Sequence, residues 1–267
     1  MTEPRLLYDD VADDYDRFRP GYPASLVDEA CSIAGLRAGS PVLEVGCGTG
    51  QLTGALAERG LRVDAIDPGP RMIEIARRRA PGVRFHIGSF EDVNLPADAF
   101  AALFSATAFH WVDPDVGWAK AARVLRPGGT LALLSIIAEL TEEVLAAWRD
   151  VLPEAAAWET HDPEAVREGA RARRGNVSEF WAWLGKREIA RPEAAELFTD
   201  VGVQTVPVER SQTTEEVIGE ARTTSAYLRL DGERRARLER RLGAIVAAAG
   251  GAFKTTTFAT LVTARAA

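Results

Sequence analysis

Short apolar runs alternate with stretches of helical period from residue 41 to residue 137. Residues 42–45, 63–66, 83–87, 100–105 and 130–136 are near-continuous apolar segments, as strands buried on both faces require. Between them, 51–59 and 71–79 read as helices. Asp113-Pro114 offers an N-cap followed by proline at the first helical position, which predicts a helix running to Leu125. Pro127-Gly128-Gly129 stops that helix and delivers the chain to the next strand. The alternation predicts an α/β fold, a doubly wound sheet of mostly parallel strands.

From about residue 139 to 187 the alternation breaks. This stretch is helical in pattern, lacks a convincing strand and holds Trp148, Trp158, Trp181 and Trp183. It reads as a helical cap inserted over the sheet. The winding resumes with a helix over 192–200, a strand over 204–208 and helices over 214–228 and 233–249. A last strand over 253–263 alternates Phe258, Thr260 and Val262 against Ala259 and Leu261, so it is expected to be antiparallel or at an edge. The expected units are an N-terminal helical segment (1–40), a core (41–137 and 188–267) and the cap (138–187).

The chemistry concentrates in Val42-Leu43-Glu44-Val45-Gly46-Cys47-Gly48-Thr49-Gly50, an apolar strand that runs into a glycine-rich turn and opens a helix. Glycines admit positive φ and close approach of a ligand, and the crevice beyond the carboxyl ends of parallel strands is where such sheets bind nucleotides. A dinucleotide fingerprint fails in both registers, with Gln51 or Thr53 where the third glycine belongs. A P-loop fails too, for want of a lysine.

What remains is G-x-G-x-G preceded by an acid within the strand, which resembles the first motif of class I S-adenosylmethionine-dependent methyltransferases, a Rossmann-like family. The blocks Tyr15-Asp16-Arg17-Phe18-Arg19-Pro20-Gly21-Tyr22-Pro23, Ser105-Ala106-Thr107-Ala108-Phe109-His110-Trp111 and Arg222-Thr223-Thr224-Ser225-Ala226-Tyr227-Leu228 resemble its trans-aconitate-methyltransferase-like branch. The resemblance implies S-adenosyl-L-methionine as cofactor, S-adenosyl-L-homocysteine as product, and a small organic molecule as acceptor. It places Glu44, Gly46, Cys47, Gly48, Gly50 and Ser105 around the cofactor. Asp67 ends the second strand and suits the ribose hydroxyls, with Pro68 beside it and Met72 against the adenine. Asp64, earlier in that strand, is expected away from the crevice. Ser89 stands where the family commonly has an acid for the adenine amino group, and the next backbone N–H, that of Phe90, suits the ring. Tyr15 and Arg19 precede the first strand, in a segment that by resemblance folds over the cofactor; a surface helix with ordinary ion pairs is the other reading.

On the acceptor side, His110 is the candidate base and, with Trp111, a candidate substrate contact. Alternatively it packs beside Trp111 and caps the following helix. Trp181 and its neighbours either line an aromatic chamber or form the cap's own core. Arg167, Arg171 and Arg174 share one helical face. Either Arg171 and Arg174 grip an anionic part of the substrate, or the stripe is solvated and answered by Glu164 and Glu168. Two alternative functions stay open: a protein of the same fold that keeps the cofactor but catalyses another reaction, and a nicotinamide oxidoreductase.

Composition narrows the setting. The 267 residues are 46% hydrophobic, enough for a full core, and 39 acids against 32 bases give a net charge of −7. That balance argues against nucleic acid as a partner. The first ten residues are acidic rather than signal-like, and no apolar run is long enough for a membrane span, so a cytoplasmic enzyme is expected. Two cysteines, Cys31 and Cys47, offer neither a disulfide framework nor a zinc site, and no metal is expected.

Overall fold

The computed structural model describes residues 6–157, 163–173, 175–185 and 189–267. Trp158, His161, Arg174 and the end of the expected cap at residue 187 lie outside the described residues. Two helices, α1 (Ala12–Phe18) and α2 (Ala24–Ile33), precede the winding. It then runs β1 (Pro41–Val45), α3 (Gln51–Glu58), β2 (Arg62–Asp67), α4 (Pro70–Arg79), β3 (Arg84–Ile87), β4 (Phe100–Ala106), α5 (Pro114–Val124) and β5 (Leu125–Glu139). Four helices follow: α6 (Glu142–Arg149), α7 (Pro163–Arg173), α8 (Val177–Gly185) and the short α9 (Ala194–Leu197). The chain closes through β6 (Phe198–Gln212), α10 (Thr214–Arg222), α11 (Ser225–Leu228), α12 (Gly232–Ala248) and β7 (Phe253–Ala266).

The seven strands form one sheet in the order β3-β2-β1-β4-β5-β7-β6. β1 through β5 are mutually parallel, while β7 runs antiparallel between β5 and β6. The expected antiparallel last strand is therefore present, and it lies inside the sheet. The winding direction reverses at β1, whose neighbours are β2 and β4, so a crevice opens there beyond the strand ends. One face of the sheet is covered by a core that joins Leu26, Leu52 and Phe104. The other is covered by a core that joins Phe109, Trp118 and Phe180.

Local chemistry explains most boundaries. Asp113 caps α5, its side chain accepting from Asp115 N, with Pro114 at the first turn. Thr213 and Glu216 form a reciprocal capping box at the start of α10. The expected single helix over 214–228 is broken between α10 and α11, where Thr224 caps the second piece and takes the N–H of Tyr227. The helix expected over 192–200 shrinks to Ala194–Leu197, because Phe198 already enters β6 and packs edge-on against Trp118. β6 is fifteen residues long, far beyond the expected 204–208. Its Thr, Gln, Glu and Arg positions alternate on a partly solvated edge, which hid its extent.

Among the described residues, the stretch 138–187 packs in separate places. Residues 138 and 139 extend β5 along β7. α6 turns toward α12, where Val144, Ala147 and Trp148 share a core with Tyr227 and Leu242. α7 and α8 go to the opposite side and pack on β6 and β7, with Val166, Phe180 and Trp181 sealed against Trp118, Phe198 and Val262.

Candidate active site

The glycine turn after β1 is shaped by sterics. Gly46 has φ of 71°, and a Cβ there would lie 2.2 Å from the Ala108 Cβ of the β4–α5 loop. Gly50 has φ of 83°, and its Cβ would meet Ala76 Cα and Cβ of α4 at 2.9 Å. Both positions need a residue with no side chain, because left-handed backbone and close packing coincide. Cys47 is buried in the core behind the turn, and Ser105, fully buried, donates its hydroxyl to Val45 O at 2.8 Å. Cys47, Gly50 and Ser105 therefore build the crevice without lining it.

Two buried carboxylates stand behind and beside the turn. Asp67 receives Gly48 N on Oδ2 at 2.9 Å and Gly69 N on Oδ1 at 2.8 Å. Burial pushes its carboxyl up to about 6, against the opposing pull of those two amides. Glu44 is fully buried; Thr53 donates to its Oε2 at 2.6 Å, and its Oε1 has no hydrogen-bond partner. Burial pushes its carboxyl up to about 8. Asp64 sits earlier in β2, pairs with Arg84 at 3.5 Å and does not line the crevice.

The crevice, of about 890 Å³ including its open mouth, brings together most of the residues read from the sequence. Gly46, Gly48, Asp67, Pro68 and Met72 form one wall. Ser89, Phe90, His110 and Trp111 form the facing wall, and Tyr15 and Arg19 lie across the top. Ser89 donates to Asp92 Oδ2 at 2.6 Å, which leaves its hydroxyl oxygen as an acceptor at the crevice wall. The ring of Phe90 is buried in the core beneath Lys120, with the ammonium 5.3 Å from its centroid. His110 lies with its ring centroid 5.2 Å from that of Trp111.

Among the lining residues that the sequence does not signal, Tyr8, Asp9 and Thr107 make specific contacts across the crevice. Tyr8 packs edge-on against both Tyr15 and Trp111, tying the N-terminal segment to the loop after β4. Asp9 Oδ1 accepts from Arg71 N at 2.8 Å and Met72 N at 3.2 Å, so it caps α4 from 62 residues away and fastens the N-terminal segment to the crevice. Thr107 takes a left-handed φ of 52° and shares a hydrogen bond of 2.7 Å with the Tyr22 hydroxyl. Only Thr107 lay in a block already singled out; nothing local to Tyr8 or Asp9 signals a contact across such a separation.

Comparison with known proteins follows the same geometry. Residues 43–133, from β1 through the glycine turn to β5, match the family model described as a methyltransferase domain. A methyltransferase domain therefore occupies residues 43–133. An uncharacterized methyltransferase of Mycobacterium tuberculosis is 42% identical over 120 residues, covering 45% of this chain and 48% of that protein. The malonyl-(acyl-carrier protein) O-methyltransferase of Serratia marcescens is 36% identical over 114 residues, covering 42% and 45%. The chain spans about half the length of these curated relatives in its matches. A solved structure from Anaeromyxobacter dehalogenans, provisionally assigned as a type II methyltransferase, aligns over 93% of this chain and 97% of its own, with a TM-score of 0.63 and 26% identity.

The cofactor of such a domain is S-adenosylmethionine, and the crevice suits it. The ligand carries a sulfonium and an ammonium, and Asp67 lines the crevice as an acid beside it. Glu44, fully buried and with its carboxyl pushed up to about 8, lies behind the turn and does not line the crevice, contrary to the expectation for it. The Gly48 amide that a pyrophosphate would need is already engaged by Asp67.

A second chamber adjoins the crevice of the methyltransferase domain. Tyr15, Arg19 and Thr107 line both spaces and form the threshold between them. Beyond it, Ile136 of β5, Leu140 just after it, and Val144 and Trp148 of α6 line the space together with Val217 of α10 and Leu242 of α12. Arg19 Nη2 donates to Thr223 O, and Tyr22 meets Thr107, so three sequence blocks separated by up to 204 residues meet here. Trp148 reaches this chamber, whereas Trp181 does not; it is 3% exposed in the core on the other side of the sheet. Arg171 is not at either space: its side chain is 70% exposed, 3.8 Å from Glu164, on a shallow groove with Arg167. Arg173 is drawn back over the Trp183 ring at 5.0 Å.

Proposed function

We propose that this chain is an enzyme that moves the methyl group of S-adenosylmethionine to a small organic molecule held in the second chamber. The observation that carries the reading is the shared threshold of Tyr15, Arg19 and Thr107, which sets the acceptor space directly against the cofactor crevice. When bound, the cofactor supplies an electrophilic methyl on a sulfonium. The chain's task is then to hold an acceptor atom in line with it and to exclude water, a role in which positioning supplies most of the acceleration.

Asp67 holds the cofactor's ribose, Met72 and the Phe90 amide its adenine, and Arg19 its carboxylate, while Glu44 acts on the site from behind the glycine turn. The Tyr22 hydroxyl stays neutral, since burial drives its pKa well above the usual phenol range. Tyr22 and Thr107 therefore offer hydroxyls that orient an acceptor rather than a charged base. His110 lines the crevice and not the chamber, which favours a contact near the transferring group over general-base duty. The dinucleotide alternative is disfavoured by the engaged Gly48 amide. We further propose a cytoplasmic protein that uses no nucleic acid and belongs to the trans-aconitate-methyltransferase-like branch. Among the described residues no helix is long and apolar enough to cross a membrane.

Calorimetry with S-adenosylmethionine and S-adenosylhomocysteine tests the cofactor, and S-adenosylhomocysteine release across an acceptor panel tests the transfer. Binding of both, with acceptor-dependent release, is expected. A folded sample showing no heat with either ligand at high micromolar concentration overturns the reading; cofactor binding with a different acceptor-dependent product would favour the cofactor-retaining alternative.

A further inference from the structure

The second chamber, of about 1220 Å³ including its mouth, is apolar along most of its walls but has one polar patch remote in sequence from the threshold. Glu220 of α10 lines it beside Gln212 and Thr255. Arg210 Nη1 and Gln212 Nε2 both donate to the same oxygen, Glu220 Oε2, at 2.8 and 2.7 Å. Gln212 Oε1 in turn accepts from Thr255 Oγ1 at 2.8 Å, which fixes the orientation of its amide. The carboxylate is thus held by three elements, β6, β7 and α10, while Oε1 keeps its accepting capacity. Its counter-charge, Arg210, does not line the chamber.

The charged side chains among the described lining residues are Arg19 and Glu220. Arg19 belongs to the threshold: its guanidinium lies 5.4 Å from the Tyr15 ring centroid and it also lines the crevice. With the cofactor carboxylate answering Arg19, the group left to meet the acceptor is a fixed carboxylate. An anion brought to that wall would be desolvated against like charge, whereas a hydroxyl, amide or ammonium would complete a charge-assisted hydrogen bond.

We infer that the acceptor is an uncharged or cationic molecule with an apolar body of ring size, anchored through a hydrogen-bond donor on Glu220, and that anionic acceptors are excluded. This rests on the methyl-transfer reading of the site. It gives Glu220 the part of a specificity-determining residue, and it assigns the apolar body to the walls formed by Val144, Trp148, Val217 and Leu242.

The test uses the full chain saturated with S-adenosylhomocysteine and three probes that share one apolar body: 2-naphthylmethylamine, 2-naphthylmethanol and 2-naphthoate. Fluorescence titration is expected to show the amine and the alcohol binding, with the naphthoate weaker by about tenfold or more. Glu220→Gln keeps an accepting oxygen and removes the charge; it should weaken the amine, leave the alcohol nearly unchanged and narrow the gap to naphthoate. Val217→Trp fills the chamber and should abolish binding of all three probes while the Kd for S-adenosylhomocysteine stays within about twofold, which also reports that the variant folds. Naphthoate binding as tightly as the amine, an unchanged order in Glu220→Gln, probe binding that survives Val217→Trp, or no probe binding to the loaded protein each overturns the inference. In every one of those cases S-adenosylhomocysteine still binds; its failure to bind would instead bring down the methyl-transfer reading itself.

Discussion

The crevice and the chamber share a threshold but are built by different rules. The crevice is organised by short-range geometry: a strand, three left-handed glycines, and the Asp67 carboxylate pinned by backbone amides of two adjacent turns. The chamber is assembled from side chains of α6, α10, α12 and the ends of β5, β6 and β7, with no motif of its own. Backbone fixes the first and packing fixes the second, so the same ligand-binding region combines a rigid half with a half whose walls can be exchanged. That division suits an enzyme class with one cofactor and diverse acceptors.

The sharpest way to break the comparison is to disturb the backbone-fixed half. Gly46→Ala must place a Cβ against Ala108 in left-handed backbone, and it should cost roughly 2–4 kcal/mol of stability and most cofactor affinity. Gly48→Ala, whose Cβ would find only Tyr15 at 3.8 Å, should cost about 1 kcal/mol, the backbone penalty alone. Chemical denaturation of the two variants reads the difference, and equal losses would show that sterics at Ala108 are not what the turn requires.

Glu44 gives the next effect, and its sign is opposite. Its folded pKa of about 8 exceeds the ordinary 4.5, so the folded state holds its proton more tightly than the unfolded chain. The stability this provides is complete below pH 4.5 and is lost as pH rises through 8. Glu44→Gln should therefore match the native protein near pH 4 and exceed it by roughly 2–4 kcal/mol at pH 9 without cofactor. Its affinity for S-adenosylhomocysteine should fall. A gain in stability paired with a loss of binding is the mark of a group kept for its ligand; a loss of both would assign Glu44 to the core.

Asp67→Asn should weaken S-adenosylhomocysteine by roughly 1.5–3 kcal/mol, the scale of a lost charge-assisted hydrogen-bond pair. In the native protein affinity should decline as pH falls through about 6, where Asp67 takes up its proton. Calorimetry between pH 5 and 8 checks this, and a decline that persists unchanged in the asparagine variant would move the titration elsewhere. The smallest effect belongs outside both spaces: Arg171→Ala should change stability and cofactor affinity by less than about 0.5 kcal/mol, as expected for an exposed ion pair.

What could be read from the sequence divides along the same line. The apolar runs of β1, β2 and β4, the glycine turn, Asp67 rather than Asp64, and the Asp113 cap are local signals, each complete within a few residues. The extent of β6 is hidden because its solvated edge resembles a loop, and the break in the helix expected over 214–228 because Thr224 can both continue a helix and cap a new one. The destination of Trp148 and Trp181 was not legible at all. Both are large apolar residues at helical spacing, and which side of the sheet each reaches depends on tertiary packing that helical periodicity does not encode. Asp9 and Tyr8 carry no signal short of the fold itself.

The antiparallel placement of β7 bears on the order in which the molecule can assemble. β6 has β7 as its neighbour in the sheet, and β7 is the last strand in chain order. Until it slides between β5 and β6, the parallel strands that frame the crevice already have their partners, while β6 waits with no ladder and the polar patch of Glu220 has no Thr255 to complete it. Pairings of such sequence separation form slowly. The strand order therefore frames the crevice by pairings that do not require β7, whereas the chamber wall at Glu220 is complete only once β7 is in place.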